Sequence, residues 1–229
     1  MKHVLNYFTK VEIILWCSST ILILSSFLIF DRENYMTLIA SIIGVTSLIF
    51  CAKGNPIGQF LMIIFSVVYG IISYSFAYYG EMITYLGMSG PMALFALIAW
   101  LRNPYKGKKS QVKVNRIKRK EIAFMLALSV VVTIVFYFIL KYFGTANLVF
   151  STLSITTSFI AVYLTFRRSP YFALVYALND LVLIVLWMYA TIIDINYVSV
   201  LICFIVFLIN DVYGFINWLK MEKNQKKNM

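Results

Sequence analysis

Eight apolar stretches occupy 169 of the 229 residues, and each is 18 to 23 residues long. They are Val11–Phe30, Tyr35–Ala52, Ile57–Tyr79, Glu81–Leu101, Ile122–Phe143, Leu148–Phe166, Tyr171–Ile193 and Tyr197–Leu219. A helix rises 1.5 Å per residue, so about 20 residues cover the ~30 Å hydrocarbon core of a bilayer. Little chain is left for a soluble domain. Composition agrees: 62% of residues are hydrophobic and 13% charged, against roughly 45–50% and 25% in soluble domains. The predicted fold class is an all-α integral membrane protein with eight transmembrane helices, and the lipid bilayer is its first partner.

Charge fixes the expected orientation. Lys and Arg number 20 against 9 Asp and Glu. With eight spans, 18 basic residues face one side, nine of them between Arg102 and Lys120, and only Arg32 and Lys141 face the other. Because Lys and Arg are retained on the cytoplasmic side, both termini are expected in the cytoplasm. The Arg102–Lys120 stretch is read as a solvated loop near acidic lipid headgroups rather than a nucleic-acid site. Span 1 is read as a retained helix, since it carries Glu12 and lacks a small-residue cleavage pattern. Cys17, Cys51 and Cys203 form no CxxC pair, and the sole histidine is His3, so no metal site or cofactor is indicated. No GxxxxGK[ST] or GxGxxG occurs, so the chain encodes no nucleotide-driven pump.

Spans 2–4 resemble spans 6–8. Asn55-Pro56 and Ser169-Pro170 open spans 3 and 7 at an offset of 114, and Trp100-Leu101-Arg102 and Trp218-Leu219-Lys220 close spans 4 and 8 at an offset of 118. Spans 2 and 6 run the same way, so the repeats are parallel, with span 5 as linker and span 1 as an addition. The expected organisation is 1 + 3 + 1 + 3: residues 1–34, 35–104, 105–147 and 148–229. Transporters built from such repeats bind substrate between the halves. Trp16, Trp100 and Trp218 are read as interfacial anchors.

Seven acidic residues, including Glu12 and Glu81, lie in loops, tails or span ends; Asp180 and Asp211 do not. A mid-membrane charge costs at least ~2.5–3.5 kcal/mol, so these two are functional candidates. Counting residues puts both roughly 12–14 Å above the basic end of their helices, each after an asparagine, Asn179 and Asn210. Helical spacing adds Tyr176 and Trp187 on span 7, Tyr213 on span 8, and Gln59 and Ser66 on span 3. Amides and carboxylates of this kind suit a ribose, and the aromatic faces suit a ring or a cation. The predicted substrate site is Gln59, Ser66, Tyr176, Asn179, Asp180, Trp187, Asn210, Asp211 and Tyr213.

The runs Asn55-Pro56-Ile57-Gly58-Gln59, Tyr69-Gly70, Tyr78-Tyr79-Gly80-Glu81, Trp100-Leu101-Arg102-Asn103 and Asn210-Asp211-Val212-Tyr213-Gly214-Phe215-Ile216-Asn217-Trp218 resemble the PnuC family of bacterial vitamin transporters. The resemblance covers about residues 35–104 and 148–220. It implies a core related to SWEET carriers, placement in a bacterial inner membrane, homotrimeric assembly, and facilitated diffusion of an unphosphorylated vitamin or nucleoside, usually nicotinamide riboside, trapped by cytosolic phosphorylation. Riboside carriers of the family have Trp in the inner half of span 7, where this chain has Tyr176. An alternative keeps the fold but couples transport of thiamine, riboflavin or a deoxynucleoside to protons through the two aspartates. An intramembrane aspartyl protease also needs two Asp, but here they follow Asn instead of the Tyr or Gly expected of such enzymes. An enzyme is therefore not expected.

Overall fold

The computed structural model describes residues 7–75, 79–145 and 147–228. These contain eight helices long and apolar enough to cross a membrane: α1 (Lys10–Phe30), α2 (Tyr35–Ala52), α3 (Pro56–Ser75), α4 (Tyr79–Leu101), α5 (Arg119–Tyr142), α6 (Leu148–Phe166), α7 (Phe172–Ile193) and α8 (Val198–Lys227). Helix α4 is interrupted by a π-helical turn at Tyr85–Ser89. A short hairpin, β1 (Pro104–Tyr105) and β2 (Lys108–Val112), lies between α4 and α5. The expected span limits hold to within a few residues, except that α8 runs on past Leu219 to Lys227.

Local chemistry sets the helix starts. Thr9 and Glu12 form a reciprocal cap on α1, Glu12 N–H donating to Thr9 Oγ1 (3.3 Å) and Thr9 N–H to Glu12 Oε2 (2.7 Å). Asn55 Oδ1 accepts from the Ile57 N–H (3.0 Å), with Pro56 in the first turn of α3.

Helices α2, α3, α4, α6, α7 and α8 form a ring: α2 packs on α3, α3 on α4, α4 on α6, α6 on α7, α7 on α8, and α8 returns to α2. Outside it, α1 covers α2 and α8, and α5 covers α6. Large apolar side chains such as Ile14, Leu28, Phe124, Phe138 and Leu153 point outward, as lipid allows.

Trp100 and Trp218 are not interfacial anchors. Both are sealed in the bundle, at 1% and 0% exposure, with ring centroids 5.4 Å apart. Trp218 Nε1 donates to the Cys51 carbonyl (2.8 Å), and Trp100 Nε1 donates to the Thr165 carbonyl (2.9 Å). An indole N–H withdrawn from water needs such a partner. Each tryptophan thus ties the end of one three-helix group to the other, in matching ways. Trp16 is partly exposed and donates to Thr46 Oγ1 (3.1 Å).

The basic connection after α4 is an ordered strap, unlike the solvated loop expected from its charge. Val112 is fully buried, its N–H donating to the Gly54 carbonyl (2.9 Å). Gln225 grips the strap on both sides, accepting from Val114 N–H (2.9 Å) and donating to the Val112 carbonyl (3.0 Å). Asn115 donates to the carbonyls of Arg167 and Arg168, and Arg116 pairs with Glu222. The lysine side chains, with Arg102, Arg116 and Arg119, look outward. The backbone is satisfied by three separate elements, which periodicity in a charged segment does not reveal.

Gly44 on α2 is a close-approach position, because a Cβ there would overlap the ring of Phe207 on α8. Gly44→Val is expected to lower stability by about 1–3 kcal/mol through overpacking, read as a lower unfolding midpoint in detergent.

Candidate functional site

The deepest acidic groups meet. Asp180 on α7 and Asp211 on α8 are 4% and 5% exposed, and their carboxyl groups touch. Asp180 Oδ2 has no hydrogen-bond partner. Tyr176, with Thr165 beside its hydroxyl, and Tyr85 from the π-helical turn of α4 both lie within electrostatic range of Asp180. Among the described residues every ion pair lies at the basic end: Lys53–Glu12, Arg116–Glu222, Arg167–Glu121 and Lys226–Glu222. None of these cations neutralises the aspartates.

Asn179, one residue before, looks elsewhere. Its Oδ1 accepts from three hydroxyls of α6: Thr157 (2.7 Å), Ser154 (3.1 Å) and Ser158 (3.2 Å). Consecutive residues on a helix diverge by about 100°, so an Asn-Asp pair cannot serve one point. Gln59 Nε2 reaches Cys51 Sγ (3.2 Å), and Cys51 lies within electrostatic range of Asp211. Ser66 is 1% exposed, its Oγ has no partner, and it sits against Gly90 of α4. Trp187 packs near Tyr197 and Phe204, at centroid distances of 5.4 and 6.4 Å.

Asn210 and Tyr213 are directed to α1. Asn210 Nδ2 donates to Ser19 Oγ (3.0 Å) and to the Val206 carbonyl (2.8 Å). Tyr213 donates to Glu12 Oε1 (3.1 Å), and Glu12 itself is 1% exposed and paired with Lys53 (3.0 Å). The structure therefore brings Asp180 and Asp211 together, with Tyr176 and Cys51 within electrostatic range of Asp211, and puts Asn210 and Tyr213 on another side of α8.

A cavity of about 440 Å³ opens among Tyr79, Glu81, Ser151, Trp187, Asp194 and Tyr197, at the end of the bundle away from the basic strap. A narrower pocket shares Gly80, Glu81, Thr145, Ser151 and Leu186 with it and continues inward past Tyr85 to Ser89, Ser154 and Ser158. A third cavity of about 130 Å³ lies across Trp187, against Asp31, Tyr69 and Ser73. Among the described residues lining all three, the charged ones are Glu81, Asp194 and Asp31, all acidic. Toward the basic end the way is filled by Trp100, Trp218, Phe172, Leu164 and Met221, with Val112 of the strap.

Residues 34–220 match the family model described as "Nicotinamide mononucleotide transporter". The chain belongs to this family. It is 28% identical over 201 residues to the nicotinamide riboside transporter PnuC of Neisseria mucosa, covering 85% of this chain and 76% of that one. Its fold matches a crystal structure of the vitamin B3 transporter PnuC with a TM-score of 0.82 at 23% identity, over 95% of this chain and 94% of the other. The protein is thus a multi-pass membrane transporter of a bacterial family, not an enzyme.

Within this nicotinamide mononucleotide transporter fold, several polar groups escaped the sequence reading. Glu81, which apolar run length puts at a span end, accepts from the Tyr69 hydroxyl (3.1 Å) and lines the 440 Å³ cavity. Tyr69 and Tyr85 pack at a centroid distance of 4.5 Å. The hydroxyl ladder of α6 was legible in principle, since six of the eight residues in 151–158 are Ser or Thr. Hydroxyls are tolerated throughout membrane helices because they can bond to their own backbone, as Thr152, Thr156 and Thr157 do, so the run alone does not identify a lining.

Proposed function

We propose that this chain carries nicotinamide riboside into the cell by facilitated diffusion, with cytosolic phosphorylation trapping it. The observation that carries this reading is the sign of the charge along the cavities. Glu81, Asp194 and Asp31 line them, and Asp180 and Asp211 lie beyond, with no Lys or Arg lining the cavities among the described residues. A nicotinamide riboside ring is cationic and is attracted there. A phosphate would meet carboxylates in a low dielectric with no basic partner, so the mononucleotide is excluded. The relative named as a nicotinamide riboside transporter supports the same choice.

In this reading Asp180 and Asp211 face the cation, and Tyr176 and Trp187 offer ring faces. Gln59 and Ser66 supply polar contacts from α3, and Asn179 orients the hydroxyls of α6. Asn210 and Tyr213 act through α1. The division into residues 1–34, 35–104, 105–147 and 148–229 is proposed with it, supported by the matching Trp100–Thr165 and Trp218–Cys51 bonds. So are cytoplasmic termini, supported by the 18 to 2 split of basic residues, placement in the inner membrane, and a homotrimer, which the family resemblance implies.

Calorimetry on the purified protein tests the substrate. Nicotinamide riboside is expected to bind, with nicotinamide mononucleotide and the uncharged riboflavin each at least 100-fold weaker. Asp211→Asn should weaken riboside binding about tenfold, the loss of roughly one charge-assisted contact. Equal binding of riboside and mononucleotide would remove the charge argument. A second reading, proton coupling, is favoured by the contact between the two carboxyl groups; it requires uptake to respond to a pH gradient at constant outside pH.

A further inference from the structure

The ring has two seams where helices α2–α4 meet helices α6–α8: α2 against α8, and α4 against α6. A two-fold arrangement would make them equal, but they are built differently. At the α2/α8 seam the ring of Phe207 fills the space beside Gly44, and Asn217 and Trp218 donate to the carbonyls of Ala52 and Cys51, both at 2.8 Å. Helix α1 then bridges the seam. It reaches α2 through Trp16 to Thr46 (3.1 Å), and α8 through Ser19, which accepts from Asn210 (3.0 Å). Glu12 holds both sides at once, pairing with Lys53 at the end of α2 (3.0 Å) and accepting from Tyr213 of α8 (3.1 Å).

The α4/α6 seam is held at the basic end by Trp100 on the Thr165 carbonyl. Farther along, a narrow pocket, walled also by Leu183 and Leu186 of α7 and Leu140 of α5, separates the helices, with Thr84 and Ser89 of α4 facing Ser154 and Ser158 of α6. The π-helical turn Tyr85–Ser89 lies in that stretch, and such turns concentrate at functional sites in helices. On this flank the outer helix α5 spends its hydrogen bonds on α6, through Thr133–Thr156 (2.7 Å) and Glu121–Arg167.

We infer that the transport cycle is one-sided: α1 keeps α2 and α8 together throughout, and substrate crosses along the α4/α6 seam over Ser89, Ser154 and Ser158. Glu12 and Ser19 are positioning residues, because they join two helices without touching the route. The inference rests on the transporter reading but not on which substrate is carried.

Two measurements on the full chain in liposomes decide it. The first needs no substrate. Ser158→Cys and Ser19→Cys are labelled with a water-soluble cationic methanethiosulfonate, and wild type, with exposed Cys17 and buried Cys51 and Cys203, gives the baseline. Ser158→Cys is expected to react at least 100-fold faster than Ser19→Cys. Equal rates, or faster reaction at Ser19→Cys, overturn the inference. The second uses a short thiol cross-linker, comparing each variant with itself before treatment. Linking Trp16→Cys to Thr46→Cys should leave riboside uptake within twofold, and linking Ser89→Cys to Ser154→Cys should cut it at least tenfold, reversibly with reductant. Loss of uptake on the α1 link, or no loss on the α4/α6 link, overturns it as well. If the untreated protein takes up no riboside, the substrate assignment fails, while the labelling rates still decide the seam.

Discussion

Lys53→Met is expected to lower the stability of the detergent-solubilised protein by about 3 kcal/mol, the low end of the range for breaking a buried ion pair from one side. Glu12 is the reason. It is 1% exposed and accepts from Lys53 Nζ at 3.1 and 3.0 Å, from Tyr213 and from the Thr9 N–H. Lys53 itself is 16% exposed, which moderates the pair's Coulomb energy but does not rehydrate the carboxylate once the cation is gone. The Lys53 ammonium also sits 4.7 Å from the Tyr7 ring centroid, a smaller contribution. Adding Glu12→Gln to Lys53→Met should recover most of the loss, because the buried group is then neutral. A Lys53→Met midpoint equal to wild type would mean the pair is hydrated and the α1 contacts are weak.

Trp218→Ala should cost about 3 kcal/mol and also open a leak. The side chain is wholly buried, bonds to the Cys51 carbonyl, and packs edge-on against Phe172 (4.9 Å) and against Trp100 (5.4 Å). Large-to-small changes at such sites cost about 3–5 kcal/mol in water-soluble cores. The low end applies here, because in a bilayer the lost packing counts and the transfer from water counts for less. These same rings close the basic end of the route, so passive efflux of riboside from loaded vesicles should rise several-fold. If the two three-helix groups are duplicates, Trp100→Ala, which frees the Thr165 carbonyl, should match Trp218→Ala within about 1 kcal/mol. A harmless Trp100→Ala beside a damaging Trp218→Ala would break that equivalence.

The legible part of the chain was what the membrane dictates. Apolar run length gave eight helices, and residue counting from the helix ends gave Asp180 and Asp211 a common depth, in keeping with the touching carboxyls. The offsets of 114 and 118 between the proline and tryptophan landmarks reappear as matching bonds, since Thr165 lies 114 residues after Cys51 and Trp218 lies 118 after Trp100. The direction of side chains around each helix was not legible. In lipid both outer and inner faces are apolar, so periodicity does not say which face of α8 meets α7 and which meets α1. Sequence proximity groups Asn210 and Tyr213 with Asp211, yet they bond to Ser19 and Glu12. The strap hid behind its charge: nine basic residues read as solvated loop, while its order comes from backbone bonds to Gly54, Arg168 and Gln225.

An acid-lined route favours the form of the vitamin that bears no phosphate. Proteoliposomes holding the purified full chain, with equal pH on both sides and no ion gradient, should take up labelled nicotinamide riboside until inside and outside concentrations match. Under the same conditions nicotinamide mononucleotide should enter no faster than into empty liposomes. Uptake of the mononucleotide at a rate comparable to the riboside, or riboside uptake only with an imposed proton gradient, would contradict the account.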